Sequence, residues 1–84
     1  MLAMRLVREI PHPDCKITIF SWNNRYLIKL EQGPLEQTFK IPEFDLTGED
    51  ELLSIIDAEF LHQATDRFQD MGRSLYEARQ RSAQ

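Results

Sequence analysis

The spacing of apolar residues changes near Pro42. Before that point, apolar and polar positions alternate in four short runs. After it, apolar residues return every three or four positions, the spacing of one helix face. This order predicts an α+β fold: a four-stranded antiparallel meander in spatial order 1-2-3-4, with a C-terminal helix packed on one face. Residues 1–41 are the strand-rich part of a single small domain over 1–84, and residues 42–81 supply the connection and the helical region.

The first run, Met4–Ile10, alternates Met4, Leu6, Arg8 and Ile10 with Arg5, Val7 and Glu9. A straight strand puts the first set on the core side, with Arg8 snorkelling from an edge. Pro11 and Pro13 each fix φ and remove a donor, so PHPD is a connection. Cys15–Trp22, CKITIFSW, is rich in β-branched and aromatic residues and reads as the second strand. Asn23-Asn24 then forms a tight hairpin turn into Tyr26–Glu31, because asparagine tolerates the positive φ that such turns need.

The turn sets the register. Ser21 faces Tyr26, Ile19 faces Ile28 and Ile17 faces Leu30 on one side of the sheet. Trp22 faces Arg25, Phe20 faces Leu27, Thr18 faces Lys29 and Lys16 faces Glu31 on the other. Gln32-Gly33-Pro34 leads to the fourth run, Leu35–Ile41. Continuing the count pairs Ile28 with Phe39 and Tyr26 with Ile41, and sets the like charges of Glu31 and Glu36 opposite one another.

Two helix starts follow. Thr47, with Asp50 three positions on, suits an N-cap before Leu52, Leu53, Ile55 and Ile56. Asp57 suits a second, with Ile56 and Leu61 placed as a hydrophobic staple. Whether one bent helix or two result is left open by the pattern. From Phe60 the apolar stripe runs Phe60, Ala64, Phe68, Met71, Leu75, broadened by Leu61 and Tyr76, while Gln63, Asp66, Arg67, Asp70 and Arg73 mostly face away. Gly72 beside the stripe permits close packing, and fraying is expected beyond about Arg79. The expected core combines Ile19, Ile28 and Phe39 with Phe60, Phe68 and Leu75.

A chain of 84 residues stands near the lower limit for a single core, which makes burial against a partner plausible. One cysteine cannot form an internal disulfide, and Cys15 reads as an ordinary thiol in a reducing compartment. The opening residues lack a signal-peptide pattern and no segment is apolar enough to span a membrane, so the expected location is cytoplasmic with no membrane partner. The formal charge of −4 is divided unequally. Residues 1–41 carry six Lys/Arg against four Asp/Glu, and residues 42–84 carry four against ten. The acidic second half disfavours general attraction to nucleic acid.

Candidate chemistry is sparse. His12 and Cys15 have a spacing found in some metal sites, but the only other such residue is His62, too few for a closed zinc site. A nucleophilic Cys15 needs a lowered pKa and an oxyanion-stabilising surround; a turn histidine followed by an inward-facing cysteine is the simpler account. Asp14 with Glu9, or the run Glu49-Asp50-Glu51, offers paired carboxylates, although capping and solubility already explain them. No catalytic residue, metal or cofactor is assigned.

The strongest site candidate is the second sheet face. Phe20, Trp22 and Leu27 form its apolar centre, with Arg25 and Lys29 beside them and Arg5, Lys16 and Lys40 around it. If one helical layer covers only the opposite face, this one meets solvent or a partner: another protein, or a second copy of the chain. Phe20 and Trp22 stacking on bases with cations on phosphates is the single-stranded nucleic-acid alternative. Glu9, Glu31 and Glu36 on the same face weigh against it.

Overall fold

The computed structural model describes residues 3–83. Its four strands are β1 (Arg5–Ile10), β2 (Lys16–Trp22), β3 (Arg25–Gln32) and β4 (Leu35–Pro42), followed by a 3₁₀ turn (Glu43–Asp45) and two helices, α1 (Glu49–Ile55) and α2 (Ala58–Ser82). The strands form one antiparallel sheet in the order β1-β2-β3-β4, and the helices pack against it, as the change of period predicts.

The central hairpin has the register expected from its turn. Trp22 pairs with Arg25, Phe20 with Leu27, Ile19 with Ile28 and Ile17 with Leu30. Asn23 and Asn24 both have positive φ, 52° and 61°, which matches the right-handed twist of the flanking strands. At the next turn Gln32 pairs with Leu35, leaving a two-residue loop. Gly33 at φ 58° followed by a proline, whose ring holds φ negative, has the sign pattern of a type II′ turn. Glu31 and Glu36 do stand opposite each other, and Lys29 relieves the repulsion from 3.4 Å away from Glu36.

The first strand departs from straight alternation. Leu6 pairs with Phe20 and Arg8 with Ile19, so Val7 is an extra residue at a β-bulge. One inserted residue reverses the faces of everything before it. Val7 consequently packs on the core, as Ile10 beyond the bulge does in keeping with the alternation, whereas Met4 and Leu6 are 51% and 55% exposed, and the expectation that those two lean on the core is corrected. Arg5, opposite Ser21, moves the other way and leaves the face assigned to it.

Ile17, Ile19, Ile28 and Leu30 from the sheet, Leu52 from α1, and Ala64 and Phe68 from α2 are fully buried together. Phe39 and Phe60 flank them, half-buried, with ring centroids 5.1 Å apart. Leu75 does not join: it is 42% exposed. The reason is length, since α2 at 25 residues spans about 37 Å, while the longest strands at eight residues span about 27 Å. The stripe continues after the sheet beneath it has ended. A Cβ added at Gly72 would meet Leu35 Cδ1 at 3.6 Å, an ordinary contact, so close packing does not require glycine there.

There are two helices. Asp57 caps α2, its Oδ1 accepting from the Phe60 N–H at 2.8 Å, as its position suggests. The cap of α1 is Gly48 rather than Thr47. Thr47 is instead held from behind: its N–H and hydroxyl both donate to Glu51 Oε2. That doubly bonded carboxylate has its pKa lowered, chiefly by the backbone hydrogen bond. Regular α2 continues beyond the expected fraying point to Ser82, with Arg79 and Arg81 in its last turn complementing the helix dipole.

Candidate functional site

Pairing through the hairpin turn sends Thr18, Phe20 and Trp22 from β2 and Arg25, Leu27 and Lys29 from β3 to the side of the sheet opposite the helices. The bulge adds Leu6 from β1, and Met4 just before that strand, to that side. No helix lies over this face among the described residues. Leu27 is nevertheless only 6% exposed and Thr18 only 4%, because they lie on the inner strands under their neighbours' side chains. Phe20 and Trp22 are half-buried and Arg25 is exposed. The apolar surface offered to solvent is therefore carried largely by Met4 and Leu6, with Phe20 and Trp22 behind them.

Met4, Phe20, Leu27, Lys29, Glu36 and Thr38 enclose a shallow hollow of about 120 Å³ on this face. Lys29 pairs with Glu36 in this hollow, and elsewhere on the face Lys16 pairs with Glu9 at a loose 4.0 Å. Such exposed pairs contribute little to stability. They do offset cations that would otherwise be available to phosphates. No cation–π contact joins Trp22 to Arg25; among the described residues that contact is made by Arg67, 6.0 Å from the Phe39 ring centroid on the opposite side of the sheet. Thr18 Oγ1 is buried on this face with no hydrogen-bond partner among the described residues.

The His12/Cys15 region behaves as a connection. His12 Nδ1 accepts from the Asp14 N–H at 3.1 Å, which fixes the turn between β1 and β2. Cys15 packs at the edge of the core. Burial, and then the Asp14 carboxylate, push its thiol pKa upward, opposite to what a thiolate nucleophile needs. His12 also faces a hollow shared with Asp57 and His62, but His62 pairs with Asp66 on its own helix at 3.5 Å. No group of three or more His, Cys, Asp or Glu side chains among the described residues is placed to hold a metal ion.

Two further features lie outside the site expected from sequence. Phe44, in the 3₁₀ turn after β4, is 86% exposed. At the opposite end of the sheet, the β3–β4 turn and the overhanging part of α2 enclose a groove of about 670 Å³ lined by Pro34, Leu35, Leu75 and Tyr76, with Arg79 also lining it. Phe44 was not singled out from sequence, although an aromatic flanked by two carboxylates in a non-periodic stretch is a signal that marks it. The groove has no such signal, because it depends on α2 outrunning the sheet.

No family model, curated protein or solved structure matches this chain. No helix among the described residues is long and apolar enough to cross a membrane.

Proposed function

We propose that the chain is a small protein-interaction or accessory domain, cytoplasmic in keeping with its free thiol, whose bare sheet face docks another protein or a second copy of itself. One observation carries the reading: the bulge at Val7 brings Met4 and Leu6, both half-exposed, beside Phe20 on a face that no helix among the described residues covers. An apolar centre of Met, Leu, Phe and Trp inside a rim of Arg25, Lys29, Glu36 and Lys16 has the layout of a protein interface. The aromatic side chains would anchor it, and the paired rim charges would set orientation more than affinity.

Nucleic-acid stacking draws on the same aromatics but has less support. Phe20 and Trp22 are half-buried, and two of the lysines are already paired with glutamates. A base-stacking platform needs open rings beside free cations.

The double variant Met4→Ser/Leu6→Ser tests the face without touching the core. Sedimentation over a concentration series should show wild-type self-association that this variant weakens, if the partner is a second copy. For another partner, a purified protein that binds wild type should lose affinity for the variant. Wild-type binding that the double variant leaves unchanged overturns the reading. Salt-sensitive binding of short single strands, lost in Phe20→Ser/Trp22→Ser, would transfer the face to the nucleic-acid alternative.

A further inference from the structure

Phe44 and the α2 groove are complementary in shape class and in charge. Phe44 is the most exposed large apolar side chain among the described residues, a single ring projecting at 86% exposure. Around it, residues 43–51 hold five carboxylates and no cation. Two of these are engaged, Glu43 accepting from the Ser21 hydroxyl at 2.9 Å and Glu51 holding Thr47. Asp45, beside Phe44, is exposed and in no ion pair among the described residues.

The groove has the opposite character. Pro34, Leu35, Leu75 and Tyr76 give it an apolar lining, and Arg79 is its charged member. Residues 72–83 carry three arginines against one carboxylate. Arg73 is paired with Asp70, while Arg79 and Arg81 have no ion-pair partner among the described residues. Leu75 and Tyr76 remain 42% and 64% exposed within a hollow large enough for an aromatic ring.

The two features cannot meet within one molecule. The Glu43 N–H is bonded to the Asn24 carbonyl at 3.0 Å, which ties the Phe44 segment to the β2–β3 turn. The groove lies at the β3–β4 turn, a full eight-residue strand of about 27 Å away. We infer that the groove between the β3–β4 turn and the C-terminal part of α2 receives Phe44 of a second copy of this chain, with Asp45 of that copy meeting Arg79. The contact joins different patches on the two copies, so it either closes reciprocally into a dimer or propagates. It is independent of the bare sheet face.

Sedimentation equilibrium up to millimolar concentration tests this with the full chain. Wild type should associate, and Phe44→Ser and Tyr76→Glu should each weaken association by at least about tenfold, as expected for loss of one aromatic anchor. Both positions are exposed, so circular dichroism should show an unchanged fold. Mixing the two variants should restore a complex, because one molecule retains the ring and the other the groove. Asp45→Arg and Arg79→Asp should each weaken association, and their mixture should recover part of it. A wild type that stays monomeric, single variants that associate like wild type, or a variant mixture that stays apart each overturn the inference. Association lost only in Met4→Ser/Leu6→Ser assigns self-contact to the sheet face instead.

Discussion

The side-chain amide of Gln37, on β4, donates a 2.8 Å hydrogen bond to the main-chain carbonyl of Ala64, on α2. Its other end is held as well, since Arg67 Nε donates to Gln37 Oε1 at 2.9 Å. Gln37 is 9% exposed, so these bonds form where water competes poorly, and they fix the helix against the edge strand. Gln37→Ala should cost about 1–3 kcal/mol in chemical denaturation. Amide exchange should also quicken along α2 more than along β2 and β3. Equal protection in the variant and wild type would show that apolar packing alone positions the helix.

Phe68 and Leu75 belong to one helical stripe but have different surroundings. Phe68 is 1% exposed and meets the sheet, whereas Leu75 overhangs it. Phe68→Ala should cost about 3–5 kcal/mol of unfolding free energy. Leu75→Ala should stay within about 0.5 kcal/mol of wild type, as an exposed helix position usually does. A large loss at Leu75 would mean that the groove is a packed part of the fold.

The contrast shows what periodicity can convey. Asn23-Asn24 and the alternation around it determine the β2–β3 pairing because a two-residue turn admits one register, and a one-residue slip would turn either Ile17 and Ile19 or Ile28 and Leu30 away from the core. Asp57 was readable as a cap for an equally local reason. The Val7 bulge had no such signal, since Met4, Leu6 and Ile10 alternate acceptably in a straight strand. Its position is decided by pairing with β2, where Ile10 meets Ile17 and Leu6 meets Phe20. Phe20, Trp22, Arg25, Leu27 and Lys29 were correctly placed on one face by register. Their burial was not readable, because it depends on which side chains lie across them.

Straight alternation and the bulge predict opposite costs in β1. With the bulge, Val7 packs on the core and Leu6 faces outward. Val7→Ser should therefore destabilise by about 1–2 kcal/mol, and Leu6→Ser by less than about 0.5 kcal/mol. The reverse ranking in urea unfolding would restore the unbulged strand.

Thr18 offers a stabilising change. Its hydroxyl is buried without a partner among the described residues, and leaving such a group unpaired costs about 1–3 kcal/mol. Thr18→Val keeps the branched shape suited to a strand and removes the polar atom. Unfolding free energy should rise by up to about 1 kcal/mol. A fall would show that the hydroxyl is hydrogen-bonded in solution.

Cys15 gives a pH-dependent test of the connection between β1 and β2. Partial burial first, and the neighbouring Asp14 carboxylate second, favour the protonated thiol in the folded chain. The folded pKa is thus above the unfolded one. The associated stabilisation is present below the unfolded thiol pKa and is lost as pH rises through the folded value. Alkylation of the native protein should accordingly reach its thiolate-limited plateau at a higher pH than alkylation in urea. Asp14→Asn should move that inflection part of the way down, leaving the larger burial contribution in place. A native inflection below the unfolded one would require a cation or donor at the sulfur, and would reopen the His12/Cys15 pair as reactive chemistry.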